Sequence, residues 1–130
     1  MTEPQKKILV VDDDEEMRSL LRDFLAEEGF APLCAGNGLE AFRKMAAEVF
    51  DVVITDIRMP GLSGLDILPK LKRMQPKAFI LAITAFGNEE VKQKALQRGA
   101  QAYLEKPIQL ERLRSLLREI LTSRSAEARF

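Results

Sequence analysis

The 130-residue chain contains no histidine and only one cysteine, Cys34. Without histidine there is no Ser-His-Asp or Cys-His catalysis and no ordinary zinc site. Nor can the chain carry a phosphohistidine of its own. A lone cysteine rules out an internal disulfide and fits a reducing cytoplasm. No stretch approaches the roughly 20 apolar residues that cross a bilayer. The first residues, MTEPQKK, lack the apolar segment of a secretory leader. A net charge is missing too: 20 basic residues balance 20 acidic ones. That leaves no basic footprint for nucleic acid. The expectation is a cytoplasmic chain that binds neither membrane nor nucleic acid directly. Its length suits one domain, which buries about two-thirds of the surface of its unfolded chain.

What is present is a strict alternation. Residues 8–11, ILVV, form a short apolar run of the kind a parallel strand buried on both faces requires. After DDDEE, apolar residues recur at helical spacing at Met17, Leu20, Leu21, Phe24 and Leu25, and Gly29 marks the stop. Strand-like stretches follow at 31–35, 51–55, 78–84 and 102–104. Between them lie a helix capped by Asn37 and carrying Leu39, Phe42, Met45, Ala46 and Val49, and a helix carrying Leu65, Leu68 and Leu71. Ser63 and Asp66 make a capping-box-like start for the latter, and Pro69 is expected to loosen its first turns. A fourth helix, 88–98, has a thin apolar face of Val91, Ala95 and Leu96. A fifth is striped by Leu110, Leu113, Leu117, Ile120 and Leu121, and the polar tail TSRSAEARF follows. Five strands alternating with five helices predict an α/β fold of parallel βαβ units with helices on both faces.

In such sheets the ligand lies beyond the carboxyl ends of the strands. Asp12, Asp13 and Asp14 follow the first strand, Asp56 the third, Thr84 the fourth and Lys106 the fifth. Asp56 stands out because VVITDIRMPG delivers a carboxylate at the tip of a buried strand, just before a Pro-Gly break. Acids before a helix also cap it and suit its dipole, worth about 0.3–1 kcal/mol. Capping needs one or two of them, not the whole rim. Two carboxylates about 4 Å apart repel by roughly 4 kcal/mol at an effective dielectric of 20. One lysine offsets one charge only, so a hard divalent cation is expected. Mg2+ suits two carboxylates and a backbone carbonyl. A carboxylate beside Mg2+, an ammonium and a hydroxyl describes a phosphoryl-transfer site, with an acyl phosphate on Asp56 as product.

The stretches ILVVDDD, VVITDIRMPGLSGLD, ILAITA and YLEKP, in this order and spacing, resemble the receiver domain of two-component response regulators. The resemblance covers about residues 7–121. It places the receiver domain at 1–122, with 123–130 as a polar tail or the start of a linker. It implies a flavodoxin-like three-layer sandwich with strand order 2-1-3-4-5. Asp56 would accept a phosphoryl group from the phosphohistidine of a sensor histidine kinase or phosphotransfer protein. Asp13 would bind Mg2+ directly, Asp12 through water, and the Arg58 backbone carbonyl would be a further ligand. Thr84 and Lys106 would contact the phosphoryl oxygens, and Lys106–Pro107 would be cis. Thr84 and Tyr103 would form the switch, with Tyr103 turning into space left by Thr84. Arg58 and Phe86 would tune dephosphorylation, Phe86 by shielding the acyl phosphate from water. The output face would be the fourth helix, fifth strand and fifth helix. It would serve a downstream target, a fused output domain or a homodimer. TAFGN and LEKP resemble receivers of enhancer-binding transcription factors, so the context is either free-standing or the N-terminal part of such a regulator.

Asp14 stands where that family often has glutamate. Three other readings compete. A Mg2+-dependent aspartyl phosphatase wants a second aspartate two positions after the nucleophile, where this chain has Arg58. A flavin or nucleotide module needs a glycine-rich loop after the first strand, where this chain has DDDEE. A non-catalytic interaction module would use the acids only as caps.

Overall fold

The computed structural model describes residues 5–58, 64–85 and 88–127, with side chains as far as residue 122. The elements are β1 (Lys7–Val11), α1 (Glu15–Glu27), β2 (Ala31–Ala35), α2 (Gly38–Ala47), β3 (Val52–Asp56), α3 (Gly64–Met74), β4 (Phe79–Thr84), α4 (Glu89–Gln97), β5 (Ala102–Glu105) and α5 (Leu110–Glu127). All strand pairings are parallel, in the order β2-β1-β3-β4-β5. This is the flavodoxin-like arrangement expected.

The period-2 alternation of side chains divides the core between the two faces of the sheet. Leu9, Val11, Val53, Ile80 and Ala82 pack under α2, α3 and α4. Ile8, Val10, Ile54, Leu81 and Ile83 pack under α1 and α5. β1, β3 and β4 are inner strands enclosed on both faces, which is why they read as unbroken apolar runs.

Helix starts follow side-chain caps. Asn37 Oδ1 accepts the Glu40 N–H (2.8 Å) and Asn88 Oδ1 accepts the Val91 N–H (2.9 Å). Gly29 (φ +92°) turns the chain from α1 into β2, a conformation L side chains rarely adopt.

Several expectations need correction. In α2, Leu39 and Val49 are exposed, and Val49 lies beyond the helix; Ala41 joins the expected Met45 in burying the inner face. In α1, Leu20 is exposed. α3 runs unbroken through Pro69, because Ile67, Leu68 and Leu71 are all buried and their packing outweighs one missing hydrogen bond. Ser63, half of the expected capping box, lies outside the described residues. α5 continues through part of the polar tail to Glu127.

One buried polar side chain ties the far end of the sandwich. Gln75 Oε1 accepts the Phe50 N–H (3.0 Å), and Nε2 donates to the carbonyls of Met45 (3.0 Å) and Glu48 (2.9 Å). Among the described residues no helix is long and apolar enough to cross a membrane.

Candidate functional site

The strands all run one way, so the carboxyl ends of β1, β3, β4 and β5 open onto one rim. β1 passes directly into Asp12, whose N–H still bonds the Ala35 carbonyl of β2 (3.1 Å). This last ladder bond carries the Asp12 side chain into full burial. Asp56 is the final residue of β3, paired with Ile83 and also buried. Lys106 stands one residue past β5, its N–H bonded to the Thr84 carbonyl at the end of β4 (2.9 Å). The Lys106–Pro107 peptide is cis, as expected.

These backbone anchors converge three side chains. Lys106 Nζ donates to Asp12 Oδ2 and Asp56 Oδ2, each at 2.8 Å. The other oxygens are held by backbone: Asp12 Oδ1 accepts the Asp14 N–H (2.9 Å) and Asp56 Oδ1 the Arg58 N–H (2.8 Å). Asp13 is exposed, yet one oxygen from each of Asp12, Asp13 and Asp56 falls within 4.8 Å of the others. Asp14 turns away and caps α1, accepting the N–H groups of Glu16 (3.0 Å) and Met17 (3.4 Å). The acidic run therefore splits. Capping accounts for Asp14 and leaves Asp12 and Asp13 unexplained by it.

Burial raises the Asp12 carboxyl above the usual aspartate range. Hydrogen bonds from Lys106 and the Asp14 N–H oppose this, while the charge of Asp56 adds to it. For Lys106, burial works against the ammonium. The hydrogen bonds and charges of Asp12 and Asp56 win, and its pKa stands above that of an ordinary lysine.

Thr84 is fully buried at the end of β4. The register Ala82↔Tyr103 and Thr84↔Glu105 puts Thr84 and Tyr103 on the same face of the sheet. Tyr103 packs against the core under α2, α3 and α4, and its hydroxyl is enclosed without a hydrogen-bond partner among the described residues. Burial, then the charges of Glu105 and Glu89, raises its pKa. A groove of about 510 Å³ lies alongside, lined by Asn88, Lys92, Tyr103, Lys106 and Arg112 among others. Arg58 is exposed beside Asp56. Phe86 lies outside the described residues.

Two residues that motif reading passed over sit against this rim. Arg18 of α1 donates from Nη1 to the Asp12 carbonyl at 2.6 Å. Gly64 opens α3 so close behind Asp56 that a β-carbon there would stand 2.2 Å from the Ile57 Cα. A glycine where a helix returns onto a buried strand was a readable signal for the second. Nothing in the sequence marks the first, because its target is a backbone carbonyl.

The sequence profile of the Response regulator receiver domain matches residues 8–118. The chain belongs to this family. Over 121 residues the receiver is 37% identical to the transcriptional regulatory protein ZraR of Klebsiella oxytoca, a match covering 93% of this chain and 27% of that protein. It is 31% identical over 120 residues to sporulation initiation phosphotransferase F of Bacillus subtilis, covering 92% of this chain and 97% of that protein. The receiver thus spans about a quarter of the first relative and nearly all of the second. Among solved structures, a CheY-like response regulator receiver domain protein from Methanospirillum hungatei JF-1 superposes with a TM-score of 0.91. It is 28% identical, with 95% of this chain and 99% of that one covered. The receiver is therefore a two-component signalling domain, found in relatives both as nearly the whole protein and as one part of a longer regulator.

Proposed function

We propose that this receiver takes a phosphoryl group onto Asp56 from the phosphohistidine of a sensor histidine kinase or phosphotransfer protein, in a Mg2+-dependent reaction. The observation that carries this reading is one ammonium, Lys106, held 2.8 Å from both Asp12 and Asp56 at the carboxyl ends of the strands. Asp12, Asp13 and Asp56 set against Lys106 leave two negative charges uncompensated, which suits one divalent cation. The donors fit Mg2+: carboxylate oxygens of Asp12, Asp13 and Asp56, with the Arg58 carbonyl. When bound, the ion offsets negative charge on the phosphoryl oxygens.

The chain's own part is as follows. An Asp56 carboxylate oxygen attacks phosphorus in line. The P–N bond to imidazole breaks, its electron pair returns to that nitrogen, and a P–O bond to Asp56 forms. Lys106 stays protonated at neutral pH, as its raised pKa requires, and with Thr84 contacts the phosphoryl oxygens. The receiver is a phospho-acceptor that assists its own phosphorylation and dephosphorylation, with Arg58 and Phe86 tuning the latter. The phosphatase alternative lacks its general acid, since Arg58 occupies that position.

Phosphorylation adds about 1.5–2 negative charges at the rim. Thr84 moves toward them and Tyr103 turns into the space released. A buried hydroxyl without a partner costs about 1–3 kcal/mol. The Tyr103 hydroxyl has no partner among the described residues where it now stands, which favours that turn. α4 buries only Ala95 completely, so it shifts at little cost. The α4–β5–α5 face then presents itself to a downstream target, a fused output domain or a second copy. Residues 1–122 form the receiver unit, free-standing or leading a longer transcriptional regulator, and the working compartment is the cytoplasm.

Incubation with acetyl phosphate tests the reading: intact mass should show one added phosphoryl group with Mg2+ and none without it. No adduct from acetyl phosphate or from a matched kinase would return the acids to a structural role. Asp13→Asn supplies a second check. Removing one like charge should raise the melting temperature in EDTA and abolish most of the rise that Mg2+ gives the native chain.

A further inference from the structure

We propose that Arg18 is a positioning residue for the acid cluster. Its guanidinium clamps the Asp12–Asp13 peptide and so sets the direction from which Asp12 and Asp13 meet a divalent cation. The inference rests on the Mg2+ reading above.

The turn after β1 is held at three points. The Asp12 N–H bonds Ala35 of β2 (3.1 Å), and the Asp14 N–H bonds Asp12 Oδ1 (2.9 Å). The third point is the Asp12 carbonyl, which accepts from Arg18 Nη1 at 2.6 Å. A charged donor at this distance makes a strong hydrogen bond. Arg18 itself sits on a fixed frame, since its N–H bonds the Asp14 carbonyl (3.0 Å) in the first turn of α1.

This matters most for Asp13. Its carboxylate is exposed, so the backbone sets the point and direction from which the side chain leaves the turn. The peptide that enters Asp13 is the one whose oxygen Arg18 grips.

The opposite wall is shaped for the same side chain. A β-carbon on Gly36 would stand 3.3 Å from Arg18 Nη1 and 3.7 Å from its Cζ. Gly36 does not have a positive φ, so backbone freedom does not explain the glycine. Room for the guanidinium does. The Gly36 N–H is in turn fixed by Glu40 Oε2 at 3.0 Å, which anchors that wall to α2.

The rival explanation is that Arg18 is simply one more positive charge near the acids. The two accounts predict opposite signs. As a mere charge, Arg18 repels a cation, and Arg18→Met should tighten Mg2+ binding. As a clamp, its loss frees the Asp12–Asp13 peptide and weakens Mg2+ binding by about tenfold, the scale of effect when partners behind metal ligands are removed.

The experiment is calorimetric titration of Mg2+ into the native chain, Arg18→Met, Gly36→Ala and Asp13→Asn, with circular dichroism confirming the fold of each. In the metal-free chain, the Asp13 amide resonance should move in Arg18→Met. Gly36→Ala retains the guanidinium but displaces it, and should weaken Mg2+ in the same direction by less. Equal or tighter binding by folded Arg18→Met overturns the clamp while leaving the Mg2+ reading intact. Should Arg18→Met not fold, unchanged binding by Gly36→Ala overturns it. A native chain that binds no Mg2+ overturns both.

Discussion

Asp56→Asn should take up no phosphoryl group from acetyl phosphate under conditions that load the native chain completely. The substitution replaces one oxygen by NH2 and removes the nucleophile while preserving shape. The Arg58 N–H still finds the amide oxygen where Asp56 Oδ1 stood; Lys106 loses the acceptor Asp56 Oδ2 to an amide NH2 but keeps its 2.8 Å hydrogen bond to Asp12. The strand that carries the residue is buried along its whole length between β1 and β4, so the fold does not depend on the charge. One negative charge fewer in the cluster should leave thermal stability equal or higher. Loss of the adduct without loss of stability, read by intact mass and thermal unfolding on the same sample, isolates the chemistry to one atom. A persisting adduct would assign the phosphoryl group to Asp12 or Asp13 and remove Asp56 from its role.

Gly64→Ala should cost about 3 kcal/mol or more, at the upper end of overpacking effects. The added carbon would stand 2.2 Å from the Ile57 Cα, 2.6 Å from the Asp56 carbonyl oxygen and 2.7 Å from the Ile57 carbonyl carbon. All three are backbone atoms and cannot rotate away. They are also pinned from behind, because the Ile57 N–H bonds the Ile83 carbonyl of β4 (3.0 Å). Either α3 lifts, exposing Ile67, Leu68 and Leu71, or the end of β3 shifts and takes the Asp56 carboxylate with it. Both outcomes destabilise the domain, and the second also slows phosphoryl uptake. For a domain of this size the melting temperature should fall by roughly 10 °C. Unfolding at native stability would show that the space behind Asp56 accepts a methyl group.

How far the sequence reveals this molecule depends on the range of the interaction. β2 was legible to the residue, as was the cap Asn37, because strand alternation and capping are set by near neighbours. The rim was legible because a parallel sheet brings strand ends together without regard to what lies between them. What escaped is fixed across the fold. Ala41 looks no different in sequence from a surface alanine, whereas Leu39 looks like core and is not. Gln75 reads as an ordinary polar helix end, yet its partners lie 25 to 30 residues away. Arg18 serves a backbone atom, which carries no residue-specific signature, whereas Gly64 was signalled only by a glycine where the helix returns onto the buried strand. The extension of α5 to Glu127 was hidden by polarity alone, since TSRSAE contains no glycine or proline to stop a helix.

Two of the helices are unequally anchored. α1 sinks Leu21, Phe24 and Leu25 into the core, whereas α4 commits only Ala95. Most of α4 can therefore be rewritten without opening a cavity or displacing a side chain of the acid rim. With α4 in the proposed output face, a lineage of such domains is free to diversify whom it addresses while keeping how it is charged.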